Sequence, residues 1–123
     1  MAGNIIQEKS YRFAIDVINF VRKFPNSQEH KILGNQLFRS GTSVGANVEE
    51  GIAAISKKDF INKMSIALKE ARESHYWLRL IRDTRLSNQG ALNQLINACG
   101  ELIRILTSIV KTSQSKQESN YKC

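Results

Sequence analysis

Apolar residues recur along this chain at three- and four-residue steps in four segments. That is the period of one helix face, not the two-residue alternation of a half-buried strand. The first segment runs from about Ile6 to Phe24, with Phe13, Val17, Phe20, Val21 and Phe24 on its stripe. Pro25 closes it, because the residue before a proline is pushed out of the α region. Asn26 or Ser27 is placed to cap the next helix, and Asn26 with Glu29 three residues later resembles a capping box. The second segment, from about Gln28 to Ile55, carries Leu33, Leu37, Ser40, Val44, Val48 and Ile55. Ser56-Lys57-Lys58-Asp59 is a capping-box pattern, so one helix is expected to end near Ala54 and the next to begin at Ser56.

The third segment reaches about Thr84, and Phe60, Met64, Ala67, Ala71, Ser74, Leu78 and Ile81 form a heptad seam. After the break at Arg85-Leu86-Ser87-Asn88, the fourth segment runs from Gln89 to about Thr112. Leu92, Leu95, Cys99, Leu102, Leu106 and Ile109 make its stripe, widened by Ile96, Ile103 and Val110. Short connections force neighbouring helices to run antiparallel, and heptad stripes favour crossings near 20°. The pattern therefore predicts an all-α, antiparallel up-down-up-down four-helix bundle over residues 1–112. Residues 113–123 are polar and are expected to form a flexible tail.

The run Ser40-Gly41-Thr42-Ser43-Val44-Gly45-Ala46-Asn47 places two glycines inside a predicted helix, at about 1 kcal/mol each relative to alanine. Close approach of a neighbouring helix backbone is the simplest compensation. A phosphate-cradling loop would need a preceding strand and a lysine after the last glycine, and Glu49-Glu50 follow instead.

Composition narrows the function. At 123 residues the chain is one domain, and one proline with seven glycines suits long helices. No apolar run approaches the roughly 20 residues of a membrane span, and Met1 to Ser10 has no apolar leader core. Cys99 lies inside a helical pattern and Cys123 ends the chain, so a disulfide is not expected and a reducing cytoplasm is. The net charge of +7 attracts polyanions and speeds their encounter.

At about 100° per residue, Lys58, Lys69, Arg72, Tyr76 and Arg79 fall on one stripe of the third helix, opposite the Phe60/Ala67/Leu78 seam. Arg82 and Arg85 extend its basic character. Such a stripe with an aromatic can hold phosphates and stack on an unpaired base. It is equally what a solvated face looks like, with Glu70 and Glu73 interrupting the field. Glu49 and Glu50 point about 100° apart, which disfavours shared general acid–base work, and a salt bridge from Glu50 to an arginine is expected. His75 has no metal-binding partner at i, i+4, so no metal, cofactor or catalytic residue is assigned. Ile61, Ile66, Leu80 and Ile105 lie off the seams, and Trp77 is an amphipathic aromatic of the interface type. Together they predict a homo-oligomer interface.

Phe24-Pro25 with Glu29, then Gln36-Leu37-Phe38-Arg39-Ser40, Ser43-Val44-Gly45-Ala46-Asn47-Val48-Glu49-Glu50-Gly51, Phe60 and Ile66-Ala67-Leu68-Lys69-Glu70-Ala71 resemble a known family. It is the four-helix-bundle family of the 23S ribosomal RNA intervening-sequence type. The family includes the accessory variability protein of diversity-generating retroelements, which Glu73-Ser74-His75-Tyr76-Trp77-Leu78 resembles most. The likeness spans roughly residues 8 to 112. It implies a basic, ring-like homopentamer that associates with RNA or another nucleic acid and, in the retroelement branch, with a reverse transcriptase. Phe38 stands where many members carry a second arginine, and Glu49 where a small residue is usual. Both departures move the expected binding surface to the third helix. A helical protein–protein adaptor is the alternative reading.

Overall fold

A computed structural model describes residues 2–121, with side chains for residues 5–116. Among the described residues it holds four helices and no strand: α1 (Ala2–Arg22), α2 (Gln28–Ile52), α3 (Lys57–Asp83) and α4 (Ala91–Tyr121). Each helix packs on two neighbours, in the ring order α1–α2–α3–α4. The α2–α3 contact is the most extensive, α1–α4 the slightest, and the diagonal pairs do not meet. This is the up-down-up-down bundle that the periodicity predicts.

The core follows the heptad seams. Ile6, Phe13, Val17 and Phe20 from α1 meet Leu37, Val44 and Val48 from α2. Met64, Ala67, Ala71, Leu78 and Ile81 from α3 and Leu92, Leu95, Cys99, Leu102 and Leu106 from α4 complete it. On α4 the seam drifts, so that Val110 is buried and Ile109 only half-buried. A straight helix of 3.6 residues per turn slips about 20° per heptad against a 3.5 repeat, which moves the last seam position by one residue.

Two features at the helix ends differ from expectation, and a choice left open is resolved. Of the two candidate caps, Ser27 closes α2: its Oγ accepts from the His30 backbone N–H at 3.2 Å. Glu29 therefore sits one position too early for a capping box, and His30 takes the third helical position. Ile55 falls in the α2–α3 connection, 99% exposed, instead of on the α2 stripe. The α4 helix runs on to Tyr121, past the expected end of the fourth segment. The Ser56 cap is as expected, accepting from the Asp59 N–H at 3.1 Å.

Helix α2 is built to be approached from two sides. A Cβ on Gly45 would lie 3.3 Å from the carbonyl oxygen of Ser10 in α1, and one on Gly41 would lie 3.0 Å from both methyls of Val17. These glycines therefore serve close packing, and the phosphate-loop reading falls away. The opposite side carries the contact to α3. There, Ser40 and Ser74 share a buried hydrogen bond at 2.8 Å, and the Ser74 hydroxyl also lies 2.9 Å from the Glu70 carbonyl. Beside it Arg39 spans the interface, donating from Nη1 to Glu70 Oε2 at 2.9 Å and from Nη2 to Glu73 Oε2. Trp77 Nε1 adds a bond to the same Glu73 oxygen at 3.1 Å. Glu70 is only 8% exposed, and Arg39 satisfies a carboxylate that burial would otherwise disfavour.

The last turn of α3 closes in a Schellman pattern, with the Leu86 N–H on the Ile81 carbonyl and the Arg85 N–H on the Arg82 carbonyl, both at 3.1 Å. The position that glycine usually fills is Arg85, at φ 58°. A left-handed conformation costs a residue with a Cβ roughly 1–2 kcal/mol.

Three outcomes follow for unfolding in urea. Gly45→Val, which drives a branched side chain into the α1 backbone, should cost about 2 kcal/mol. Gly90→Ala, at a site with nothing within 4 Å, should stay within about 0.5 kcal/mol of the parent. Arg85→Gly should stabilise the protein by about 1 kcal/mol, since it relieves the left-handed strain.

Arg39→Gln should cost about 1–2 kcal/mol at pH 7, because it leaves Glu70 and Glu73 without their cation. The hydrogen bond from Trp77, followed by Arg39, holds the Glu73 carboxyl below its ordinary value. Its contribution is thus present above the ordinary carboxylate pKa and lost as pH falls through the depressed one. The gap between parent and Arg39→Gln should narrow in acid, and a gap constant from pH 7 to pH 3 would refute the Glu73 part.

Candidate nucleic-acid interface

Helix α3 turns Ala67, Ala71, Ser74 and Leu78 into the core, so the opposite face is left to solvent. Lys58, Lys69, Arg72, Tyr76 and Arg79 all lie on that face and are exposed. The guanidinium of Arg79 sits 6.0 Å from the Tyr76 ring centroid, within cation–π range. Tyr76 itself is 50% exposed and meets Trp77 edge to face at 5.0 Å. Trp77 is half-buried against the core and anchored through Glu73. The exposed tyrosine is thus held by a fixed neighbour, with Arg79 over its ring.

The carboxylates that seemed to interrupt this stripe do so less than their spacing suggests. Glu70 and Glu73 point toward α2, and both are engaged by Arg39. Among the described residues Lys58, Lys69, Arg72, Arg79 and Arg85 form no salt bridge within the chain. The true interruption is Asp83, which takes Arg82 Nε at 2.8 Å and has its carboxyl pKa lowered mainly by that bond. Arg82 is therefore paired at the surface, and Arg85 lies beyond the helix end. His75 is half-buried near the stripe. Burial, then Arg79 and Arg82, lower its pKa, so it is neutral at pH 7 and adds no charge.

The remaining candidates separate. Glu50 pairs with Lys63 of α3 at 2.8 Å rather than with an arginine. Lys63, nearly two turns into α3, is the cation that reaches it across the hairpin. Glu49 is exposed, and the two carboxylates do not converge on one pocket. The Cys99 thiol is buried and donates to the Ala71 carbonyl at 3.1 Å, and burial pushes its pKa up to about 12. It is an inert core group. Cys123 lies outside the described residues. No group of three metal-ligating side chains occurs among the described residues, and none of their helices is long and apolar enough to cross a membrane.

Of the residues expected at a subunit interface, Ile61 is only 9% exposed within the single chain. Trp77 and Ile105 are half-buried against the core, while Ile66 and Leu80 are half-buried outside it. Ile52, which spacing did not single out, and Ile55, which spacing placed on the α2 stripe, are exposed together at the α2–α3 corner. At the other end of the bundle, His30 links two connections. Its Nε2 lies 2.8 Å from the Leu86 carbonyl, which only accepts, so Nε2 carries the hydrogen. In the neutral ring, Nδ1 then accepts from the Ser27 hydroxyl at 2.6 Å. Nothing in the spacing of His30 reveals this, since Leu86 lies 56 residues away.

Known proteins resemble this geometry. A crystal structure of a protein of unknown function from the S23 ribosomal protein family of Bacteroides thetaiotaomicron superposes with a TM-score of 0.83 at 40% identity. The match covers 90% of this chain and 99% of that one. No curated protein matches the chain. The family model described as 23S rRNA-intervening sequence protein matches residues 3–108, nearly the whole bundle, and the chain belongs to that family.

Proposed function

We propose that this protein is a non-enzymatic, basic scaffold that associates with RNA, or with an RNA-handling partner such as a reverse transcriptase, through the outer face of α3. The observation that carries this reading is the division of charge on α3. Glu70 and Glu73 reach across to Arg39 of α2, while Lys58, Lys69, Arg72 and Arg79 face solvent with no salt bridge among the described residues, Lys69 and Arg79 acting on Glu73 and Asp83 only at longer range. A solvated face made only for solubility gains nothing from this separation. A phosphate-collecting face does, because each cation is left to displace counterions from the backbone of the nucleic acid. Tyr76 adds a flat surface for an unpaired base, and Arg79 keeps its charge against the same ring.

Repetition of this face in a homo-oligomer multiplies weak contacts through effective concentration. Ile66 and Leu80, apolar, half-exposed and outside the core, support assembly through α3. The adaptor reading draws on a different feature, the exposed Ile52 and Ile55 at the α2–α3 corner.

Fluorescence anisotropy with a structured RNA, at two salt concentrations, tests the α3 assignment. Affinity should fall at least tenfold from low to physiological salt. Arg72→Glu with Arg79→Glu should remove binding while circular dichroism stays helical; binding unchanged by the double reversal would sink it. In light scattering Leu80→Glu should lower the assembled mass, and an unaltered mass would remove Leu80 from the interface. If no RNA binds at low salt and Ile55→Ser abolishes capture of a protein partner, the adaptor reading prevails.

A further inference from the structure

The bundle end formed by the α1–α2 and α3–α4 connections holds a cleft that none of the α3 argument uses. It has a volume of about 360 Å³ and opens to solvent. Lys23 and Arg85, from the two connections, line it together with His30, Ser87 and Asn88, and no carboxylate does. Neither Lys23 nor Arg85 forms a salt bridge within the chain among the described residues. The neighbouring cleft between α1 and α4 shares Lys23 and Gln89 with it but also holds a carboxylate, Asp16, which pairs with Arg12 at 3.5 Å.

Two observations separate this cleft from an ordinary loop corner. The first is the backbone of Arg85. A Schellman closure favours glycine at that position, and here the chain holds a long cation in the left-handed region instead. Local strain of this kind persists only where the surroundings over-determine it, and it concentrates at functional positions. The second is rigidity. His30 ties the α2 cap to the Leu86 carbonyl, Phe24 meets both His30 and Phe20 edge to face at 5.1 Å, and Gln89 Nε2 donates to the Phe20 carbonyl at 3.1 Å. The floor of the cleft is thus fixed before any ligand arrives, which lowers the ordering cost of binding.

We infer that the cleft between Lys23 and Arg85 is a binding site for a phosphate monoester. Two unpaired cations match the dianion of a monoester better than the single charge of a phosphodiester. The fork of Arg85 supplies paired N–H donors of the geometry that phosphate oxygens accept, and the Ser87 and Asn88 side chains add neutral donors. Inorganic phosphate, a nucleoside 5′-monophosphate and the 5′-phosphorylated end of an RNA strand share this chemistry. The site stands apart from the α3 face, so either assignment can fail without the other.

The test is a titration of the full chain followed by ¹H–¹⁵N NMR. The probes are inorganic phosphate, adenosine 5′-monophosphate, a short RNA bearing a 5′-phosphate, and the same RNA with a 5′-hydroxyl. Shifts at the amides of residues 23–24 and 85–89 are expected with the phosphate-bearing probes and not with the 5′-hydroxyl RNA. The tightest of the three then identifies the source. Arg85→Gly should weaken binding about tenfold or more, and Lys23→Gln should weaken it as well. Because Arg85→Gly relieves backbone strain, it should be at least as stable as the parent, so lost binding cannot be lost folding. In Arg72→Glu/Arg79→Glu the cleft shifts should remain. The proposal is overturned if no probe shifts the cleft, if the 5′-hydroxyl RNA shifts it equally, or if Arg85→Gly binds as the parent does.

Discussion

Close backbone approach between α1 and α2 is the constraint on which the other contacts depend. With Gly45 against the Ser10 carbonyl and Gly41 against Val17, α2 can settle deeply onto α1. A helix seated on one side by glycine has its rotation fixed on the other, and this rotation turns Ser40 and Arg39 toward α3. The glycines forgo helix propensity, about 1 kcal/mol apiece, and the packing they permit offsets it. The polar contacts on the far side then add register rather than bulk stability. A buried serine pair and a carboxylate that needs one particular guanidinium penalise any slip of α2 along α3.

Register along α3 in turn decides where charge appears on the surface. The same rotation that brings Glu70 and Glu73 to Arg39 leaves Lys69, Arg72 and Arg79 facing outward. The basic stripe and the Arg39 ion pair thus share one rotation of α3. Charge on α3 is mixed along the sequence but partly sorted in space: Glu70 and Glu73 reach Arg39 on α2, Lys69, Arg72 and Arg79 face outward, and Asp59 and Asp83 are exposed at the two ends. The Arg39 interaction links a core constraint to the surface reading, although Arg39 itself lies on a different helix.

Much of this was legible in the chain. The heptad positions of α3 from Met64 to Ile81 and of α4 from Leu92 to Leu106 named their buried residues, because the 3.5-residue seam and the helix differ little over a few turns. The purpose of Gly41 and Gly45 was also readable, since helix-interior glycines have few physical justifications. What failed did so where periodicity carries no information. Ile55 has the spacing of a stripe but lies past the C-cap, where the helix no longer projects it inward. The choice between Asn26 and Ser27 depended on one backbone conformation. The pairing of Arg39 with Glu70 and Glu73 joins residues more than 30 positions apart, and it needs the relative rotation of two helices. The left-handed Arg85 gave no signal, because a Schellman closure is read from glycine and there is none at that break.

Arg85 also shows why the two basic regions of this protein differ in kind. Lys69, Arg72 and Arg79 sit on a regular helix, where a cation costs almost nothing and is free to move. Long-range attraction suffices to explain such a surface, and ions in solution screen it within about 8 Å at physiological strength. Arg85 occupies a backbone position that works against its own residue type, in a corner braced by His30, Phe24 and Gln89. Net charge alone gives no reason to hold a cation there, since any exposed helix position would supply the same charge without strain. A backbone that starts the Arg85 side chain from one set direction, in a cleft that Lys23 also lines, suits recognition of a group of defined shape. On the two readings proposed above, the stripe on α3 gathers a polyanion along its length, whereas the cleft at the bundle end selects a terminal phosphate monoester.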